Sequence, residues 1–264
     1  MTGPRPHWLL CRLRRPGARL RMYCFPHSGG SAGEYLRWSG AFPGVELWGV
    51  QLPGRGGRHA EPPLTSMAQV VSALVSEVEF GVPFVLFGHS LGALIAYETA
   101  IALRERGLPQ PAGLCLSAYG APHLHEPGTD LTGLDGPALV EAIEREHGPL
   151  PGHVADDPEL LELMLPVLRA DLTIVSTYRH TPAEPLACPL VVLGGEGDRE
   201  TGERLTAWGR YTTGPCRVRT FPGDHFYFRE RLDDVLRHLA TSLDELSAGA
   251  VPRARPLGPP ASLS

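Results

Sequence analysis

Ser90 stands between Gly88 and Gly92 in the stretch Phe84-Val85-Leu86-Phe87-Gly88-His89-Ser90-Leu91-Gly92-Ala93, and G-x-S-x-G spacing can carry nucleophilic chemistry. A serine hydroxyl is a weak nucleophile. It needs a base, and the base needs a third group to orient it. Where such a serine sits on a sharp strand-to-helix turn, an acid and then a histidine follow it in chain order. Both are present. Leu190 to Leu193 reads as a strand, and Gly194-Gly195-Glu196-Gly197-Asp198 is a Gly-rich turn ending in an acid. Cys216 to Phe221 reads as the last strand, and Pro222-Gly223-Asp224-His225-Phe226-Tyr227 follows it. Among eleven histidines, His225 has the position of a general base toward Ser90. Asp198 is expected to accept from the other ring nitrogen and fix the tautomer, with Glu196 as the competing acid. Asp224 adjoins His225, but neighbouring side chains rarely face each other across a turn. His89 is expected to pack or orient the elbow.

A tetrahedral intermediate at Ser90 requires two preorganised donors. One is expected from the Leu91 N–H, at a helix N-terminus where the dipole also helps. The other is expected from the loop after the first core strand, Pro26-His27-Ser28-Gly29-Gly30, with Ser28 N–H as the choice and His27 N–H second. A Gly-rich loop entering a helix could instead cradle a phosphate. This one lacks the G-x-x-x-x-G-K-[ST] spacing, and the chain contains no Lys at all.

These residues need elements to hold them. Phe84 to Phe87 is an apolar run of the kind found in a strand buried on both faces. Leu91, Leu94, Ile95, Ala96 and Ile101 suggest a mostly buried helix after it, stopping near Gly107-Leu108-Pro109. Earlier strands are expected at His7 to Leu13 (an edge), Leu20 to Phe25 and Val45 to Leu52. A helix is expected from about Glu34, and another from Ser66 to about Glu79. Gly113 to Ala118 reads as a strand, and the final helix as about Glu230 to Leu246. Alternating strands and helices predict an α/β fold with a mainly parallel sheet covered on both faces. One region breaks the alternation. From about Pro122 to Pro185 no good strand occurs, while Pro137 to Ile143, Pro158 to Arg169 and Ala170 to Tyr178 have helical character. An insertion of that length on the nucleophile's side of the sheet reads as a lid. The domain expected is 1–246, with the lid at about 122–185 and a disordered Pro-, Ala- and Ser-rich tail over 247–264.

At 264 residues and net charge -5, the chain can bury one substantial core, and its acidity does not suggest nucleic-acid binding. The five cysteines have no metal-ligand or C-x-x-C spacing and read as buried free thiols. There is no run of signal-peptide or membrane-span length, so a cytoplasmic protein without membrane contact is expected. No metal or organic cofactor is expected.

Five segments occur together in order: Cys24-Phe25-Pro26-His27-Ser28-Gly29-Gly30-Ser31, Gln51-Leu52-Pro53-Gly54-Arg55-Gly56, Gly88-His89-Ser90-Leu91-Gly92, Gly194-Gly195 with Asp198, and Gly223-Asp224-His225-Phe226. In that order and spacing the chain resembles the type II (external, stand-alone) thioesterases of polyketide and nonribosomal peptide synthesis. Ser117 with Ala121-Pro122-His123, and Arg169-Ala170-Asp171-Leu172 with Tyr178, match weaker signatures of that family. The resemblance covers about Leu20 to Leu246. It implies an α/β-hydrolase fold with a mobile helical lid. It also implies hydrolysis of acyl groups from the phosphopantetheine arm of acyl or peptidyl carrier proteins, in an editing or unblocking role. The phosphopantetheine would belong to the substrate. The chain departs from the family pattern at Leu91, where Met is common, at Ala118-Tyr119-Gly120 and at Ser176. The competing readings are another esterase or a chain-releasing cyclase on the same fold, and a non-catalytic carrier-binding protein. A cyclase domain is usually fused to its synthase, so a chain standing alone is expected to be the external enzyme, and a monomer. Arg145, Arg169 and Arg179 are candidates to meet an acidic carrier helix.

Overall fold

The structure, a computed structural model, describes residues 8–81, 83–126, 133–147 and 158–250. Its centre is a sheet of seven strands among the described residues: β1 (Leu9–Leu10), β2 (Leu20–Phe25), β3 (Val45–Val50), β4 (Phe84–His89), β5 (Gly113–Ser117), β6 (Leu190–Gly195) and β7 (Cys216–Phe221). The spatial order is β1-β3-β2-β4-β5-β6-β7. Only β1 runs antiparallel; every other neighbouring pair is parallel. The edge strand is much shorter than the His7 to Leu13 expected. Its continuation leaves the sheet because Arg15 Nη1 donates to the carbonyls of Ser39, Phe42 and Val45, and Arg14 pairs with the buried Glu46.

Side chains on the central strands alternate between two cores, as a period of two requires. Met22, Cys24, Val85, Phe87 and Cys115 face one way, toward helix α1 (Ala32–Leu36) and the last helix. Tyr23, Phe25, Leu86, Leu114 and Leu116 face the other, toward α2 (Met67–Glu77) and α3 (Leu91–Glu105). All six residues of β4 are buried, as its unbroken apolar run demands. The α2 N-terminus is capped by Ser66, whose hydroxyl accepts from Gln69 N–H at 3.3 Å.

The segment between β5 and β6 is helical where it is described. It contains α4 (Gly136–His147) and α5 (Pro158–Thr177), which share a cluster of Leu139, Ala142, Ile143 and Leu168. The two helical stretches expected between Pro158 and Tyr178 are one continuous helix, with Pro166 inside it. Residues 127–132 and 148–157 of the expected lid lie outside the described residues. Both ends of the insertion are fastened to one stretch of the core. Ala121 N–H donates to Arg204 O at 3.0 Å, and Leu186 N–H to Tyr211 O at 2.8 Å.

Beyond β6 come two short helices, α6 (Glu203–Thr206) and, after β7, α7 (Tyr227–Glu230), and then α8 (Leu232–Ala250). On α8, Val235, Leu239, Leu243 and Leu246 form the buried stripe. Leu246 and Ser247 are both buried, which carries the helix to Ala250, past the expected boundary at 246. Residues 251–264, most of the expected tail, lie outside the described residues. No helix among the described residues is long and apolar enough to cross a membrane.

Candidate active site

The elbow follows from two close backbone approaches. A Cβ added at Gly88 would lie 2.0 Å from the Gly92 carbonyl oxygen, and one at Gly92 would lie 2.2 Å from the Phe25 carbonyl oxygen. Glycine is the residue that permits both. Ser90 between them has φ 54° and ψ -123°, a backbone conformation unusual for a residue with a side chain. Its N–H donates to Ser117 O at 2.8 Å, which ties the turn to the end of β5. The serine is half-buried, while His89 and Leu91 on either side are buried.

The acid and histidine turns pack on each other in the same manner. A Cβ at Gly195 would lie 2.1 Å from the Asp224 carbonyl oxygen, and Gly197 N–H donates to Gly223 O at 2.8 Å. This brings His225 Nδ1 to 2.9 Å from Asp198 Oδ2, with both side chains buried. Asp198 Oδ1 accepts from Glu200 N–H at 3.2 Å, so both carboxylate oxygens are held. The two competing acids point elsewhere. Glu196 is exposed, and Asp224 accepts from Phe226 N–H at 2.9 Å on the surface. The His225 ring lies 5.1 Å, centroid to centroid, from His89, the neighbour of Ser90. The structure thus pairs Asp198 with His225 and brings their turn against His89, the residue before Ser90, where β4, β6 and β7 end.

His89 anchors the floor. Its Nδ1 is 2.8 Å from Ser117 Oγ, which is 2.7 Å from Tyr227 OH. A side-chain chain of hydrogen bonds therefore links the elbow to the turn that carries His225. The Tyr227 phenol is pushed far up by its burial, with the Asp198 charge adding to it, so it stays neutral.

The loop after β2 reaches the elbow because Gly92 packs on Phe25 and Pro26. Gly29 N–H donates to Asp171 Oδ2 at 2.8 Å and Gly30 N–H to His27 O at 2.9 Å. Those two amides are committed within the loop and to Asp171, which leaves Ser28 N–H and His27 N–H as the loop's remaining candidates. His27 is buried against His89 and Phe226, with ring centroids 5.9 and 5.0 Å away. Burial lowers its pKa to about 3, helped by the charges of Arg229 and His225. The Asp171 charge pulls the other way without prevailing, so the ring is neutral, with Nδ1 3.4 Å from a Glu34 carboxylate oxygen and 3.5 Å from Tyr35 OH.

The segments that depart from the family pattern have their own partners. Gly120 N–H donates to the buried Glu200 at 2.8 Å, and Trp208 Nε1 to Tyr119 O at 2.7 Å. Ser176 Oγ only bonds back to Thr173 O, and Tyr178 instead takes an acid from α3, donating to Glu98 at 2.6 Å. Arg145 is exposed and pairs with Glu141. Arg179 caps the carbonyls of Ser176 and Tyr178, and Arg169 donates to Leu134 O between the lid helices. Among the described residues no three His, Cys, Asp or Glu side chains are arranged to hold a metal ion. All five cysteines are free thiols; Cys24 and Cys115 are buried, and the other three are half-buried rather than fully buried as expected. Asp171 and its partner Arg55 lie in family-like segments, but no local pattern gave them a role.

The thioesterase domain family matches residues 21–243. The chain belongs to the thioesterase family. This thioesterase is 37% identical over 256 residues to the thioesterase PikA5 of Streptomyces venezuelae, covering 94% of this chain and 89% of the relative. It is 33% identical over 240 residues to the gramicidin S biosynthesis protein GrsT of Aneurinibacillus migulanus, covering 89% and 93%. The solved type II thioesterase BorB, from the borrelidin biosynthetic cluster, superposes with a TM-score of 0.81 at 33% identity, covering 92% of this chain and 100% of that one. The sheet described above is therefore the α/β-hydrolase fold. The thioesterase groups with the type II enzymes of polyketide and nonribosomal peptide pathways, and its reaction is thioester hydrolysis. Family members of this kind typically need no cofactor.

Proposed function

We propose that the thioesterase removes acyl groups from the phosphopantetheine arm of acyl or peptidyl carrier proteins, clearing stalled or wrongly primed chains, with Ser90, His225 and Asp198 as its catalytic triad. The observation that carries this reading is the buried His225–Asp198 pair at 2.9 Å, set beside a serine on a strained elbow. Ser90 Oγ attacks the thioester carbonyl and gives its proton to His225 Nε2. Asp198 holds Nδ1–H and stabilises the imidazolium that forms. The N–H groups of Ser28 and Leu91 bind the oxyanion. Collapse expels the pantetheine sulfur, which takes the proton from His225, and leaves an acyl ester on Ser90. Water, deprotonated by the same histidine, attacks that ester; the acid leaves and Ser90 is restored. A neutral His27 next to the site adds no positive charge to oppose the imidazolium.

The substrate brings the phosphopantetheine, and only water is consumed with it. The carrier proteins of a synthase are the partners in this reading. The proposed setting is the cytoplasm, and the proposed state is a monomer, which sedimentation of the purified chain measures directly. Basic residues on the lid surface, Arg145 and Arg179 among them, are candidates to meet an acidic carrier helix.

The test is a hydrolysis panel of acyl-carrier, acyl-coenzyme A and oxygen-ester substrates with wild type and Ser90→Ala. Loss of all turnover in a folded Ser90→Ala protein is the expected result. Residual activity at the wild-type rate would remove Ser90 from the mechanism. A preference for oxygen esters would move the enzyme to the esterase reading.

A further inference from the structure

Asp171 on lid helix α5 is fully buried. Its Oδ1 accepts from Arg55 Nη2 at 2.7 Å, and its Oδ2 accepts from Arg55 Nη1 at 2.8 Å and from Gly29 N–H at 2.8 Å. Arg55 Nη1 also donates to Gly30 O at 3.1 Å, and Arg55 O accepts from Gln51 Nε2 at 2.9 Å. Three segments far apart in the chain therefore meet at one ion pair: loop 26–31, the loop after β3, and the lid. The same helix lies directly on that first loop, since a Cβ at Gly29 would be 2.4 Å from Leu168 Cδ2.

A buried ion pair loses hydration at both charges, and pairing at best offsets that loss. Apolar side chains of similar volume would serve stability as well. What they could not supply is an acceptor for Gly29 N–H. That hydrogen bond orients the peptide plane between Ser28 and Gly29, adjacent to the plane that carries Ser28 N–H. The fork of Arg55 in turn fixes both carboxylate oxygens, so the acceptor has one direction.

We infer that Asp171 is a positioning residue for the oxyanion hole: held by Arg55, it locks the Gly29 amide, sets the direction of Ser28 N–H, and makes that direction depend on the lid helix being seated. This rests on the assignment of Ser90 and Ser28 proposed above. A lid lifted by an arriving acyl-pantetheine would leave the oxyanion donor unset, and reseating would restore it. The hydrolytic step then runs fastest with the acyl chain enclosed.

The experiment measures kcat and KM on an acyl-N-acetylcysteamine thioester, together with inhibition by a trifluoromethyl ketone that adds to the serine and forms an oxyanion. The variants are Arg55→Met/Asp171→Leu, Asp171→Asn and, as control, Ser90→Ala. The apolar double variant is expected to melt near the wild-type temperature yet lose about 100-fold in kcat with KM nearly unchanged, the scale of one missing oxyanion donor. Asp171→Asn keeps an oxygen for Gly29 and is expected to recover about tenfold of that loss, with ketone affinity following kcat in both variants. A folded double variant with wild-type kcat, or a loss confined to KM, would overturn the inference. If the double variant does not fold, ketone affinity of Asp171→Asn decides, and a wild-type value overturns it. Activity surviving in Ser90→Ala would instead sink the assignment of the nucleophile, so the two failures are told apart.

Discussion

The floor of the site and the lid above it are built by different means. In the floor, backbone packs on backbone: Gly88 against Gly92, Gly92 against Phe25 and Pro26, Gly195 against Asp224. In the lid, helix α4 meets α5 through side chains, chiefly Leu139, Ala142, Ile143 and Leu168. Backbone contacts of that closeness admit one arrangement, which is what a nucleophile, base and oxyanion hole require. Side-chain contacts among leucines and isoleucine can be rearranged at modest cost. Rigidity is therefore concentrated in the turns around Ser90 and His225, and adaptability in the inserted helices. The Asp171–Arg55 pair is the charged tie between the two.

The most damaging way to probe the floor is at its acid. Asp198→Asn is expected to lower kcat by about 10⁴-fold, because an amide can favour the wrong tautomer of the histidine. Glu196→Gln, on the exposed side of the same turn, should leave kcat nearly unchanged. Steady-state rates on one thioester compare them, and a larger effect at Glu196 would transfer the role of acid. The glycine packing comes next. Gly92→Ala must push the Phe25 carbonyl away and is expected to cost about 2–3 kcal/mol in a urea melt, the scale of overpacking. Gly40→Ala is the reference, since a Cβ there meets nothing within 4 Å. Equal melts for the two would deny that the floor is tightly set.

The lid should respond separately. Leu168→Ala removes buried contacts with α4 and with Gly29, and amide hydrogen exchange over 158–177 is expected to speed up by about 30-fold or more, matching a local loss of about 2 kcal/mol. The strands β4 to β6 should exchange as in wild type. Acceleration in both would mean that lid and floor open as one unit. The gentlest probe concerns pH, because its effect vanishes near neutrality and grows only as acid is added. His27 titrates near 6.5 in the unfolded chain and at about 3 when folded. Between those values the unfolded state holds the extra proton, so stability falls as pH drops, by about 1.4 kcal/mol per pH unit at most. His27→Gln is expected to flatten the acid limb of stability between pH 6.5 and 4, read from urea melts. An unchanged slope would show that the buried ring is not resisting protonation.

This division also explains what could be read from the chain alone. The floor is written in local patterns: glycines at fixed offsets from Ser90, Asp198 and His225, each following an apolar strand. The order Ser, Asp, His then fixed which turn did what. The reading favoured Asp198 over Glu196, and in space Glu196 N–H pairs with Phe221 O and its side chain turns to solvent while Asp198 turns inward. The lid carries no such grammar. Helical character was legible over Pro158 to Tyr178, but not that the stretches meeting at Arg169 and Ala170 are one unbroken helix. The Arg55–Asp171 pair joins residues 116 apart, and nothing near either one announces the other. The edge strand failed for a related reason, since Arg14 and Arg15 found distant partners that no local pattern reveals.

The insertion between β5 and β6 leaves and rejoins the core at neighbouring points, Ala121 on Arg204 and Leu186 on Tyr211, both in the stretch that links β6 to β7. A segment whose two ends are pinned side by side behaves as an interchangeable cassette. Its closure cost changes only slowly with length, so helices may be lengthened, shortened or replaced between those two seams without moving the strands that hold the chemistry. Descendants of one ancestral hydrolase could thus diverge in what they admit while inheriting, unaltered, how they cut.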